Sequence, residues 1–289
     1  MRGFSDINPF ALFLYFVFVS ALPMFCGDGI IYLISFLGAL SLYLFRNGIN
    51  NPKTHLSSFL FFLILTIINP LVSHNGVTVL FVINNSPITL EALIYGFFAS
   101  ILIISVLYWF RTFSQIMTSD KLLYIFDRFS PKLALIISMS LRYIPLFGRQ
   151  IKKINQCVKA LGSYNEENVI DKAKLYLKTF SAMVTWTIEN GIITAESMDA
   201  RGYGVGKRSR YSNYFFSFPD VIFILLTFVL FMFSVFLIRN KSFEFYPSFS
   251  VSFSDESIIG YVLYGIIAFV PLFIEVKEEL KWKYLKLKI

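Results

Sequence analysis

Few side chains in this 289-residue chain are equipped for chemistry, and they fall in a handful of places. The richest stretch is Glu189-Asn-Gly-Ile-Ile-Thr-Ala-Glu-Ser-Met-Asp-Ala-Arg-Gly-Tyr-Gly204, whose side chains shrink and turn polar towards Ala200, Arg201 and Gly202. Ala and Gly on either side of Arg201 let a partner's backbone come close while the guanidinium reaches out. Its planar fork suits bidentate pairing with a carboxylate. The plainer reading is a helix C-terminus, with Gly202 in the left-handed cap position and Arg201 complementing the dipole. Glu91 sits at the start of an apolar run, where a carboxylate inside a bilayer would be costly and functional. Beside Thr89 it also reads as part of a helix cap. His74 and His55 are the two histidines, too isolated in sequence for a metal site. Asp199-Ala-Arg-Gly superficially suggests an intramembrane phosphotransferase, but metal-dependent phosphoryl transfer needs several converging carboxylates, and none cluster here. Glu166-Glu167 lacks the downstream His pair of a metalloprotease. Cys26 and Cys157 lie in different regions, so neither a disulfide framework nor a metal cluster is indicated. No residue set reads as catalytic, metal-binding or cofactor-binding.

The elements that must position these residues are mostly apolar. A mean hydropathy of +0.65, 56% hydrophobic residues and 15% charge describe a multi-pass membrane protein. Apolar runs occupy 10–25, 30–45, 56–72, 88–110, 221–238 and 258–274. Pro23 breaks the first near its end, and no cleavable signal peptide is evident ahead of it. These runs lack the polar faces of a passive channel, and their Phe side chains suit packing against lipid and neighbouring helices. Residues 73–87 read as a loop without Lys or Arg.

The stretch 133–147 is apolar enough to be mistaken for a seventh span, but Arg142 and Pro145 interrupt it. Charge decides the matter. With six spans, 24 of the 26 Lys and Arg fall on one side, leaving Arg239 and Lys241 on the other. Such a bias orients membrane proteins with the basic side in the cytoplasm, which accounts for the net charge of +8 without nucleic acid. The expected architecture is an all-α integral membrane protein with both termini cytoplasmic. Residues 1–111 carry four spans, 112–217 a cytoplasmic-facing region of long helices, and 218–289 two spans and a basic tail.

Within 112–217, Ile151, Ile154, Val158 and Leu161 recur at helical steps, while Arg149, Lys152, Lys153 and Lys159 take the other faces. Such a helix can lie at a membrane surface with its Lys stems snorkelling. It ends at Ala160-Leu161-Gly162. A second helix, from about 171 to 200, ends at Ala200-Arg201-Gly202. Two helices each closing on Ala-X-Gly suggest a paired platform.

At this point the chain resembles the transmembrane T component of energy-coupling factor importers, the EcfT/CbiQ family. The resemblance runs through Asn69-Pro70-Leu-Val-Ser-His-Asn-Gly76, Ile88-Thr-Leu-Glu-Ala-Leu-Ile-Tyr-Gly96 and Trp109-Phe-Arg-Thr-Phe113. It continues through Met117-Thr-Ser-Asp-Lys-Leu-Leu-Tyr124, Pro131-Lys-Leu-Ala-Leu135, Leu141-Arg-Tyr-Ile-Pro145 and Ser197-Met-Asp-Ala-Arg-Gly-Tyr-Gly204. It implies a non-catalytic scaffold in the bacterial cell membrane. Two crossed coupling helices would each seat an Ala-Arg-Gly end in a groove on one of two ABC-type ATPases, which bind the ATP. A separate substrate-binding S component, for a vitamin or metal ion, would be the third partner. Ala200, Arg201 and Gly202 match that motif. Ala160, Leu161 and Gly162 depart from it, with Leu161 in place of Arg, which fits an unlike pair of ATPases, one held by charge and one by packing. Ile151, Ile154 and Val158, with 133–147, are the expected sliding surface for the S component.

Overall fold

A computed structural model of the chain describes residues 4–48, 52–73, 75–83, 86–160, 169–206, 214–238, 243–246, 249–252 and 254–287. These form nine α-helices and two short antiparallel strand pairs. Six helices are long and apolar enough to cross a membrane: α1 (Pro9–Cys26), α2 (Gly29–Asn47), α3 (Pro52–Val72), α4 (Leu90–Ile116), α8 (Phe218–Leu237) and α9 (Asp255–Leu287). The remaining three are α5 (Ser119–Phe129), α6 (Pro131–Ala160) and α7 (Val169–Ala200). The chain divides into two compact units, 1–122 with 214–289, and 123–213.

Short punctuation sets the first turn. Asn8 caps α1 by accepting from Phe10 N at 3.0 Å, and Pro9 occupies the first turn, where its missing N–H has no helical partner to lose. Gly27, at φ 66°, ends α1, and buried Asp28 immediately caps α2. Two residues between helix ends leave room only for a tight reversal.

Inside this unit the driving force is close packing and hydrogen bonding rather than water exclusion, because lipid is as apolar as the side chains. A Cβ on Gly38 of α2 would fall 2.9 Å from the Ala268 Cβ of α9, so the two backbones approach as closely as glycine allows. Tyr15 donates to the Ile267 carbonyl at 2.9 Å and Tyr264 to the Val19 carbonyl at 3.1 Å, tying α1 and α9 in both directions. Trp109 of α4, fully buried, donates from Nε1 to Ser35 Oγ of α2 at 3.1 Å. Ser35→Ala would leave that indole N–H buried and unpaired. The expected cost is about 1–3 kcal/mol in detergent unfolding, and Ser35→Thr should recover most of it. Phe18 stacks on Phe231 of α8 at 5.0 Å between ring centroids. At the opposite end of α2, Arg46 pairs with Glu275 of α9 at 3.1 Å.

α3 is the outlier. It packs on α4, where Gly96 admits the Asn69 side chain and Thr66 donates to Ser100 Oγ at 3.1 Å, and most of its remaining surface is exposed and apolar.

Three expectations need correction. The stretch 73–87 is not merely a loop: β1 (Val79–Ile83) pairs antiparallel with β2 (Ser86–Thr89), and α4 starts at Leu90 rather than at residue 88. A second pair, β3 (Phe243–Glu244) with β4 (Ser250–Val251), lies between α8 and α9. Pro145 does not break its helix: 133–147 and 151–160 belong to one 30-residue α6, and likewise Pro23 lies inside α1. Proline removes one N–H donor but its fixed φ is helical, so a long helix absorbs it as one missing bond.

Candidate functional site

α7 ends in a fully formed cap. Gly202 N–H donates to the Asp199 carbonyl at 2.9 Å and Tyr203 N–H to the Met198 carbonyl at 3.0 Å, with Gly202 at φ 79°. This is the double-bonded left-handed termination that glycine adopts without a Cβ penalty. Gly204 repeats the left-handed conformation at φ 88°. Arg201 N–H is shared between the Ser197 and Met198 carbonyls. Backbone donors therefore satisfy the end of the helix, and the Arg201 side chain is not needed for it. Asp199, Ala200 and Arg201 are all exposed, and no ion-pair partner for Arg201 exists among the described residues. The helix-end reading of this stretch holds for the backbone and leaves the guanidinium available.

α6 and α7 are held together by a polar and aromatic seam. Thr179 donates to Asn155 Oδ1 at 3.0 Å, Phe147 meets Trp186 edge-to-face at 6.0 Å, and the Tyr143 and Thr194 hydroxyls lie 3.0 Å apart. Residue numbers fall on α6 as they rise on α7, so the pair is antiparallel. Its exposed ends, Ala160 and Ala200, consequently lie at opposite ends, roughly 38 Å apart along the pair at 1.5 Å per residue. Sequence reasoning placed the Ala200 end; the other end falls at Leu161 and Gly162, outside the described residues, and the seam was missed. Thr179 and Thr194 did not stand out because α7 carries many other polar residues, Lys172, Lys174, Lys178 and Glu189 among them.

Of the expected contact stripe, Ile154 and Val158 are half-buried and Ile151 is exposed. On a helical wheel all three fall within 80° of Tyr143 on the arc that also carries Phe147, so they border the seam with α7. α7 carries its own exposed apolar row, Leu177, Phe180, Val184, Ile188 and Ile192. Leu161, Gly162, Glu166, Glu167 and His74 lie outside the described residues. His55 Nδ1 sits 3.1 Å from the Tyr108 hydroxyl, and its ring packs against Tyr43.

Two quoted motifs prove to be one assembly. Thr89 caps α4, its Oγ1 accepting from Ala92 N at 3.3 Å and donating to the Asn75 carbonyl at 2.6 Å. The Glu91 carboxylate, almost fully buried, instead takes the Thr78 N–H at 3.2 Å and the Thr78 hydroxyl at 2.9 Å. Gly76, at φ 134°, lies directly beneath this carboxylate. Glu91 thus clamps the segment that follows α3 onto the start of α4, a role that Thr78's place in a loop concealed.

The sequence model of the family described as "CbiQ: Cobalt transport protein" matches residues 6–212. No curated protein matches the chain.

Proposed function

This chain belongs to the CbiQ cobalt transport protein family, the EcfT/CbiQ group, and is the multi-pass membrane component of such a transporter; from that premise we propose that it couples two cytosolic ABC-type ATPases to a substrate-binding S component. The observation that carries the reading is the α6–α7 pair. Its two ends are set far apart and both are exposed, and one presents an arginine whose backbone cap is already complete. Two separated ends suit two ATPases of an unlike pair, each moving one end. The chain itself binds no ATP and performs no reaction. The substrate is a metal ion of the cobalt class or a vitamin, held by the S component and not by this subunit. Residues 151, 154 and 158, with the exposed row on α7, form the apolar surface on which that component slides.

Co-expression of this chain with the ATPases and S component is the test. A tagged copy should retain both ATPases, and uptake should require all four. Retention of the ATPases by a chain lacking 131–206 would defeat the assignment. The same reading puts the ATPases, the two termini and residue 163 on one side of the membrane. Cysteines at Ser86 and Ser248 should react with an impermeant thiol reagent added outside cells, and one at Ser163 should not. Labelling of position 163 from outside would reverse the orientation.

A further inference from the structure

β1 of the β1–β2 pair is apolar and exposed. Val79, Leu80, Phe81 and Val82 are successive residues, and their exposures are 52, 45, 69 and 65%. Val77, just before them, is 68% exposed. With four consecutive side chains open, neither face of β1 is packed, while in β2 Pro87 and Ile88 are half-buried and Thr89 is buried. From Ser73 to Leu90 there is no charged residue, so nothing in the segment favours bulk water. Yet the hairpin is held firmly at its base by Glu91, Thr78, Thr89 and the Asn75 carbonyl.

What lies around it follows from two observations. The first is continuity. The exposed apolar surface of α3 runs through Leu60, Ile64, Ile67, Leu71 and Val72, and only a short segment without Asp, Glu, Lys or Arg, 73–76, separates it in sequence from exposed Val77 and β1. The apolar run of α3, 56–72, follows the polar first turn with Lys53 and His55 and has a length of roughly 26 Å at 1.5 Å per residue, so it ends near the edge of a hydrocarbon core of about 30 Å. The hairpin therefore starts at the level where the core ends. The second is hydrogen bonding. A two-stranded sheet pairs each strand on one side only, leaving the outer edges of β1 and β2 open. Open edges are not tolerated in hydrocarbon, where each unpaired group is costly, but they are hydrated among headgroups. Deep insertion and full exposure to water are both disfavoured, the first by the edges and the second by the side chains.

We infer that the β1–β2 hairpin rests in the interfacial layer of the bilayer, its side chains at the headgroup–acyl boundary, and fixes the depth at which α3 and α4 emerge. The occupant of this surface is lipid. The inference uses the chain's membrane character and is independent of the proposed ATPase partners.

The test is site-directed spin labelling of the full chain, alone in phosphatidylethanolamine–phosphatidylglycerol vesicles, in a Cys26→Ala, Cys157→Ser background. Labels are placed singly at 79, 80, 81 and 82, at 64 in the middle of α3, and at 203 after α7. All four hairpin labels should collide more often with oxygen than with a water-soluble nickel chelate, at a depth shallower than position 64. The inference is overturned by nickel accessibility at the hairpin equal to that at 203. It is equally overturned by protection that appears only when another membrane protein is added, or by spin–spin broadening showing that two copies of the chain pair through their hairpins.

Discussion

Arg201→Ala is expected to release one ATPase and stop uptake while leaving the chain folded. The side chain is exposed and plays no part in terminating α7, because Gly202 and Tyr203 N–H groups already cap it. Loss of folding is therefore not the anticipated cause of failure. If Arg201 pairs with a carboxylate in an ATPase groove, truncation leaves that acid buried and alone. This costs roughly 2–5 kcal/mol, or about 30- to 5,000-fold in affinity. Arg201→Lys should recover only part, since an ammonium has no bidentate fork. Leu161→Ala provides the contrast: a contact made by packing should lose less, about 1–3 kcal/mol, and show little response to salt. Co-purification of each ATPase, with uptake at low and high ionic strength, reads all three. Full uptake by Arg201→Ala with both ATPases retained would refute the coupling assignment.

Gly76→Ala should be the most damaging small substitution in the membrane unit. A methyl group there would lie 2.5 Å from Glu91 Oε2 and 2.8 Å from Thr89 Oγ1, and φ 134° is a conformation side chains rarely adopt. Strain and overpacking together come to roughly 2–5 kcal/mol. The Glu91 contact separates from the rest in a cycle with Glu91→Ala, which by itself frees the Thr78 donors. In the double variant the methyl group gains the space of the Glu91 carboxylate, so the combined loss should fall short of the sum, with the Thr89 contact and the backbone strain remaining. Unfolding by sodium dodecyl sulfate in mild detergent provides the measurement. A Gly76→Ala chain within about 0.5 kcal/mol of the parent would show that the clamp does not hold this end of α3 and α4 together.

The six apolar helices were legible because each is a long apolar run bounded by Gly, Asn, Pro or charge, and lipid demands little else of a span. Proline misled. Pro145 reads as an interruption by propensity, yet one missing donor does not outweigh the bonds on either side of it in a 30-residue helix. The hairpin was hidden for a different reason. Val77-Thr-Val-Leu-Phe-Val-Ile83 is rich in β-branched residues, a strand signal, but in a chain this apolar it did not stand apart from its neighbours. At the site, the left-handed cap at Gly202 was readable from local spacing alone. The Asn155–Thr179 and Tyr143–Thr194 contacts join residues 24 and 51 apart, and no local rule pairs them. The same holds for Thr78 and Glu91, whose meeting depends on how the segment after α3 folds back.

Pro145 lies at the midpoint of α6, and α7 has no proline in its 32 residues. The Leu141 carbonyl therefore has no N–H to receive one turn later, and α6 has a released rung halfway along a rod about 45 Å long. The two members of the pair therefore differ in the continuity of their hydrogen-bond ladders. Under the load that the proposed coupling would apply, α6 is expected to bend at its released rung, whereas α7 keeps every rung and is loosened only at Gly191. On the proposed coupling, the end that carries Arg201 belongs to the helix without a missing rung, so charge attachment would fall there and compliance would be left to the other.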